Sequence, residues 1–179
     1  MWWRGRTKSS SSSSPTFVFV AIVRGMPVSV GRAIGFVLMS TVFTKIINGE
    51  FPGRFVWSDD RAVGFLSINP LNPGHTLVVP REEADHWVDA DPALLAHLTA
   101  VSHAIGAAQR DAWQAPRIGL VVAGFEVPHL HVHVFPAWEM GDFDFARAAR
   151  SVDAAEQDGH MEKLRAALRA LGHGAHVPD

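Results

Sequence analysis

His129-Leu130-His131-Val132-His133-Val134-Phe135 decides how the rest of this chain is read. In a β-strand successive side chains point to opposite faces, so His129, His131, His133 and Phe135 share one face and Leu130, Val132 and Val134 the other. The aliphatic face is suited to burial against a helix. The opposite face carries three imidazoles in a row, alternate residues being about 6 to 7 Å apart in an extended chain. Each protonated ring raises the cost of charging the next, so the middle one, His131, is expected to be neutral and nucleophilic. Three groups that titrate near neutrality pack poorly on one face unless a ligand, a metal or an anion uses them. Single histidines such as His86, His97, His103, His160, His173 and His176 carry no such implication.

Two uses of that face compete. His131 and His133 form a His-x-His pair able to converge on one metal ion, and Glu139 follows six residues later. That arrangement is similar to the cupins, but the spacing matches them poorly and no second glycine-and-histidine motif follows. Nucleophilic attack on phosphorus needs one free imidazole nitrogen, neighbours that orient it, and backbone donors for the phosphate oxygens.

The segments around the histidines read as a single α+β domain. Ile118 to Val122 forms a strand before the histidine strand, which is expected to run from His129 to Phe135 and to end at Pro136. Further upstream, Asp91 caps a helix with Pro92 at its first position, and Leu94, Leu98, Val101, Ile105, Ala108 and Ala112 make one stripe. Thr76 to Val79 is a strand between the turn signal Asn72-Pro73-Gly74 and Pro80. Phe55 to Trp57 and Ala62 to Leu66, joined by the polar turn Ser58-Asp59-Asp60-Arg61, read as a hairpin. Val42, Phe43, Ile46 and Ile47 keep helical spacing up to Asn48-Gly49, and a C-terminal helix is expected from Asp158 to Leu171. Short connections within the strand groups and one long crossover predict a mostly antiparallel five-stranded sheet, with one long helix and a short N-terminal one.

Length and composition bound the alternatives. The 179 residues, 47% hydrophobic and 19% charged, suit one globular domain. No cysteine is present, which excludes disulfides, thiolate metal sites and a cysteine nucleophile, and agrees with a cytoplasmic location. The net charge of −2 hides a split, because Arg4, Arg6, Lys8, Arg24 and Arg32 lie in the first 38 residues with no acid among them. The remaining residues hold 11 basic against 18 acidic groups, an acidic body unsuited to nucleic acid. Residues 1–38 combine a serine tract with the apolar run Phe17 to Val23, yet no Ala-x-Ala-like site follows and Arg24 and Arg32 interrupt any membrane span. They are read as a poorly ordered or non-native extension. Residues 39–138 form the domain, and residues 139–179 a C-terminal segment that, like the domain, does not enter a membrane.

At residues 129–135 the chain resembles the histidine-triad family, whose signature alternates three histidines with apolar residues. Thr41 to Glu50, Asp59-Asp60 ahead of Phe65, and Pro73-Gly74-His75-Thr76-Leu77-Val78-Val79-Pro80 are similar to the same family. The resemblance covers Ser40 to about Trp138. It implies a homodimer whose sheets join across a two-fold axis, and hydrolysis or transfer at the α-phosphate of a purine nucleotide without a cofactor. On this chain it makes His131 the nucleophile, His129 and His133 the groups that orient and hydrogen-bond it, and His75 a further phosphate donor. Phe43, Ile46, Phe65 and Ile68 become the apolar slot for the base, Ser67 a ribose contact, and Gly124, Glu126 and Val127 the phosphate-side loop. Three departures stand out. Gly124-Phe125-Glu126-Val127 replaces the Gly-Gln-(Ser or Thr)-Val of many relatives, Ser67 replaces an acidic or amide residue, and Thr41 and Thr44 stand where some bacterial relatives carry a zinc-binding cysteine pair. Structural zinc is therefore not expected. A nucleotide-binding or partner-binding module with little catalysis, and a metal-dependent enzyme on the histidine face, remain the alternatives.

Overall fold

A computed structural model describes residues 40–179; the expectations for residues 1–38 lie outside the described residues. Helix α1, Val42–Ile47, starts where Thr41 accepts a hydrogen bond from the Thr44 amide and stops at Asn48, with Gly49 at φ +77°. Strands β1 (Phe55–Ser58) and β2 (Ala62–Leu66) form the expected hairpin, and β3 (Thr76–Pro80) pairs antiparallel with β2. Helix α2, Pro92–Trp113, is capped by the Asp91 carboxylate on the Ala93 amide and ends at Gln114 in the left-handed region. Strands β4 (Arg117–Val121) and β5 (Val132–Ala137) complete an antiparallel sheet of order β1-β2-β3-β5-β4.

The alternation read from the triad segment holds in the packing. Leu130, Val132 and Val134 join Val78, Leu98, Val101 and Ile105 in the core between the sheet and α2. Phe43 of α1 packs with Val63, Phe65, Leu77 and Val79 on the opposite face, where His133 stands beside Leu77. Burial of these side chains is the main stabilising term at about 25 cal/mol per Å² of apolar surface.

Three boundaries differ from expectation by more than one residue. The paired strand begins at Val132, not His129, because the His129 amide donates to Val127 and the Leu130 amide to Ala84, outside any ladder. Nor does Pro136 end it: pairing with β3 stops at Thr76 and Val134, so a residue lacking an N–H is tolerated opposite Ile118 of β4. Helix α3 spans Ala154–Ala170, four residues earlier than expected, because Asp153 caps the Ala155 and Glu156 amides. Its Leu164 and Leu168 enter the core beside α2, so the C-terminal segment is part of the same compact unit.

The turn before β3 is held from two sides. Gly74 has φ +81°, and a Cβ there would come within 2.5 Å of the Trp113 ring, so glycine is required by conformation and by space. Its carbonyl accepts a hydrogen bond from Gln109, buried on α2, whose amide also donates to the Val134 carbonyl. Those bonds tie the turn carrying His75 to the strand carrying His133.

Candidate active site

A cleft of about 620 Å³ opens between α1, the loop after β2, the triad segment and residues 145–157. His131, His133 and His75 line it, with Phe43, Ile46, Phe65, Ser67, Ile68, Glu126 and Val127. His129 and Gly124 do not.

His131 Nδ1 lies 2.7 Å from the backbone carbonyl of His129. A carbonyl oxygen only accepts, so Nδ1 carries the proton and Nε2 keeps its lone pair. The ring is 5% exposed and sits edge-on to Phe43, 5.0 Å between centroids. Burial lowers its pKa from the usual imidazole value, reinforced by the neighbouring His129 and opposed in part by the bond to the His129 carbonyl and by Glu126. His131 is thus a neutral imidazole with one nitrogen free.

A second chain of hydrogen bonds sets the protons on the neighbouring rings. The Leu71 amide donates to His75 Nδ1 at 3.0 Å, so the proton of neutral His75 is on Nε2. That nitrogen lies 3.0 Å from His133 Nδ1 and donates to it. His133 therefore holds its own proton on Nε2. Burial, then the adjacent His133 and His131, brings the His75 pKa to about 3. Burial and His131 bring that of His133 to about 4.

These contacts change two of the expected roles. Both nitrogens of His75 are engaged inside the protein and the ring is 2% exposed, so it orients His133 instead of donating to a phosphate. His129 orients His131 through its carbonyl, not its ring, which is fully buried. That ring donates from Nε2 to the Pro80 carbonyl at 2.9 Å and accepts at Nδ1 from the Thr41 hydroxyl at 2.8 Å. No ring-to-ring hydrogen bond joins His131 to His133 among the described residues; their centroids stand 4.8 Å apart, edge to face.

The apolar residues hold a double position. Phe43 and Phe65, edge to face at 5.7 Å, belong to the small core on this side of the sheet and also form a wall of the cleft. Ile46 is half-buried, and Ile68 is 79% exposed at the rim. The Ser67 hydroxyl accepts from the Asn69 amide at 3.2 Å and keeps its own proton to donate. Gly124 does not line the cleft; it sits at φ +75° with open space around it. Glu126 is exposed on the cleft wall.

Residues 145–157 were not foreseen as part of the cleft. Phe145 packs edge-on against His133 at 4.9 Å, and Arg150, Ser151, Val152 and Gln157 continue the wall. The Gln157 amide donates to the Ser67 carbonyl, and the Ala149 amide to the Pro70 carbonyl. Asp153 followed by Ala154-Ala155-Glu156 is a helix-start signal visible in the sequence, but nothing local to it points at the cleft.

The residues at the start of α1 do not suit structural zinc, which takes thiolate or imidazole nitrogen in a tetrahedral set. Thr41 supplies a hydroxyl already committed to His129, and the Thr44 hydroxyl donates to the Glu83 carboxylate. Among the described residues no group of three or more His, Cys, Asp or Glu is arranged to hold a metal ion.

The antiparallel sheet thus presents an imidazole with a free Nε2 to an apolar-walled cleft. The HIT domain family matches residues 48–140, more than half of the chain, and the protein belongs to the histidine-triad (HIT) family. A HIT-like protein of Methanocaldococcus jannaschii is 36% identical over 102 residues, covering 55% of this chain and 79% of that one. Another from Borreliella burgdorferi is 35% identical over 113 residues, with 59% and 81% covered. Among solved structures, a Zn-bound histidine triad family protein from Mycobacterium smegmatis superposes with a TM-score of 0.64 at 29% identity, covering 75% of this chain and 97% of that chain. A hypothetical histidine triad nucleotide-binding protein from Sulfolobus tokodaii gives 0.65 at 29% identity, with 72% and 92% covered. No helix among the described residues is long and apolar enough to cross a membrane.

Proposed function

We propose that this protein is a nucleotide hydrolase or nucleotidyl transferase acting at the α-phosphate of nucleoside phosphoramidates or dinucleoside polyphosphates, through a nucleotidyl group carried on His131. The observation that carries this reading is the 2.7 Å bond from His131 Nδ1 to the His129 carbonyl, which leaves Nε2 unprotonated in the cleft. The Nε2 lone pair forms a bond to phosphorus while the bond to the leaving group breaks; the leaving atom takes its proton from solvent and accepts a hydrogen bond from His133 Nε2, which keeps its own proton. Water then attacks phosphorus, the N–P bond breaks, and the water proton is released to solvent. The amides of Glu126 and Val127 make no other hydrogen bond among the described residues, which leaves them able to serve the phosphate oxygens. Purine stacks on the apolar wall of Phe43, Ile46, Phe65 and Ile68, and Ser67 meets the ribose.

Rapid quenching of the protein with adenosine phosphoramidate or a dinucleoside triphosphate, followed by peptide mass spectrometry, is expected to find one nucleoside monophosphate on the peptide containing His131. Saturable nucleotide binding with neither adduct nor product would overturn the enzyme reading in favour of a binding module.

The same reading makes the protein a homodimer. Among the described residues strand β4 is a sheet edge, with Leu120 54% exposed and Val122, just past its end, 37% exposed. An apolar hollow beside it is lined by Trp87, Leu95, Thr99 and Leu120. Sedimentation is expected to give twice the 19.5 kDa chain mass; a monomer at micromolar concentration would remove the assignment.

A further inference from the structure

The cleft is electrically lopsided. Glu126 stands on the triad-side wall, exposed, next to Val127 and near enough to His131 to act on its charge. Among the described residues it makes no ion pair. The two cations lining the cleft are elsewhere. Arg54 is committed to Asp158 at 2.7 Å. Arg150 follows Ala149, whose amide bonds the Pro70 carbonyl and whose carbonyl takes the Asn69 amide at 2.9 Å, so it lies beside the loop that carries Ser67 and Ile68.

This distribution bears on the leaving group. With the base on the apolar wall, the ribose at Ser67 and phosphorus at His131, the nucleoside takes the side of the cleft where Arg150 stands. The leaving group is left with the Glu126 side. We propose that Glu126 is a specificity-determining residue, selecting nucleoside phosphoramidates whose departing amine carries a positive charge and disfavouring polyphosphate leaving groups. The inference rests on the function proposed above and narrows its substrate class. The chemistry is unchanged: the P–N bond breaks, His131 Nε2 takes the phosphorus, and the departing nitrogen, protonated from solvent, accepts a hydrogen bond from His133. An ammonium further along the amine meets the carboxylate, whereas a di- or triphosphate brings like charge to an anion with no cation beside it.

The test is a series of adenosine phosphoramidates with equal chain length and the same P–N linkage, made from 1,5-diaminopentane, pentylamine and 5-aminopentanoate, beside a dinucleoside triphosphate. For the unmodified protein at low ionic strength kcat/KM is expected to fall in the order cationic, neutral, anionic, by about three- to tenfold at each step, with the spread shrinking as salt is added. Glu126→Gln is expected to flatten the ratios and Glu126→Lys to invert them. Equal kcat/KM across the series, or a ranking that both variants retain, would overturn the assignment to Glu126 while leaving the enzyme reading standing. If no member is turned over, the proposed function itself falls.

Discussion

Replacing His131 with asparagine is expected to lower kcat by about 10⁴-fold or more, with nucleotide affinity and folding close to those of the unmodified protein. An asparagine amide can still donate to the His129 carbonyl, so the local backbone keeps the anchor that His131 Nδ1 supplies at 2.7 Å. What it lacks is a nitrogen lone pair, and with it any means of bonding phosphorus. A loss of that size is about 5.5 kcal/mol of transition-state stabilisation, more than the departure of one ordinary hydrogen bond explains. The neighbouring rings are expected to keep their protons, since the bonds from Leu71 to His75 and from His75 to His133 do not pass through His131. Steady-state kinetics on adenosine phosphoramidate, paired with calorimetric binding of adenosine monophosphate, separates the two quantities. A variant that binds normally and retains a tenth of the activity would show that the nucleophile lies elsewhere.

The placement of His131 was legible because it depends on a local period. Alternation along residues 129–135 put the imidazoles on one face and Leu130, Val132 and Val134 on the other, and the core contains those three aliphatic residues. The five strands, helices α1 and α2 and the turn at Gly74 likewise follow from near neighbours in the chain. The start of β5 did not, since it depends on where the His129 and Leu130 amides go, and the Leu130 partner, Ala84, is 46 positions away. The first turn of α3 escaped because Ala154, Ala155 and Glu156 lack the aliphatic stripe, although Asp153 announces it. The hydrogen-bond partners of His75 were hidden for a similar reason. In the sequence it is a histidine after a glycine turn, and only the approach of Leu71 and His133 shows that both its nitrogens are occupied. The wall from Phe145 to Gln157 is a tertiary feature, made when α3 folds back on the loop after β2.

Acidification from pH 7 to 4.5 is expected to remove about 5 kcal/mol of folding stability, a large share of the 5 to 15 kcal/mol typical of a domain. His75 is held near pKa 3 and His133 near 4 in the folded protein, against 6.5 for a free imidazole. A depressed value means that, below pH 6.5, the unfolded chain binds protons that the folded chain refuses. The stability linked to these rings is therefore fully present above pH 6.5 and is lost as pH falls through the range below it, by about 1.4 kcal/mol per pH unit for each ring. His131, lowered in the same direction, adds to the slope. The carboxylates act in a separate window. Burial opposes the charge of Asp59, but hydrogen bonds from Trp57, Arg61, Ala62 and His97 outweigh it and bring its pKa to about 2. Its contribution is lost only below about pH 4, so the interval from 6.5 to 4.5 reports the histidines. Urea titrations at half-unit steps, followed by tryptophan fluorescence, would measure the slope, and His133→Gln should reduce it by the share of one ring. A flat stability across that interval would mean that the rings accept protons in place, and the fixed tautomers that leave Nε2 of His131 free to attack phosphorus and Nε2 of His133 able to donate would not survive that result.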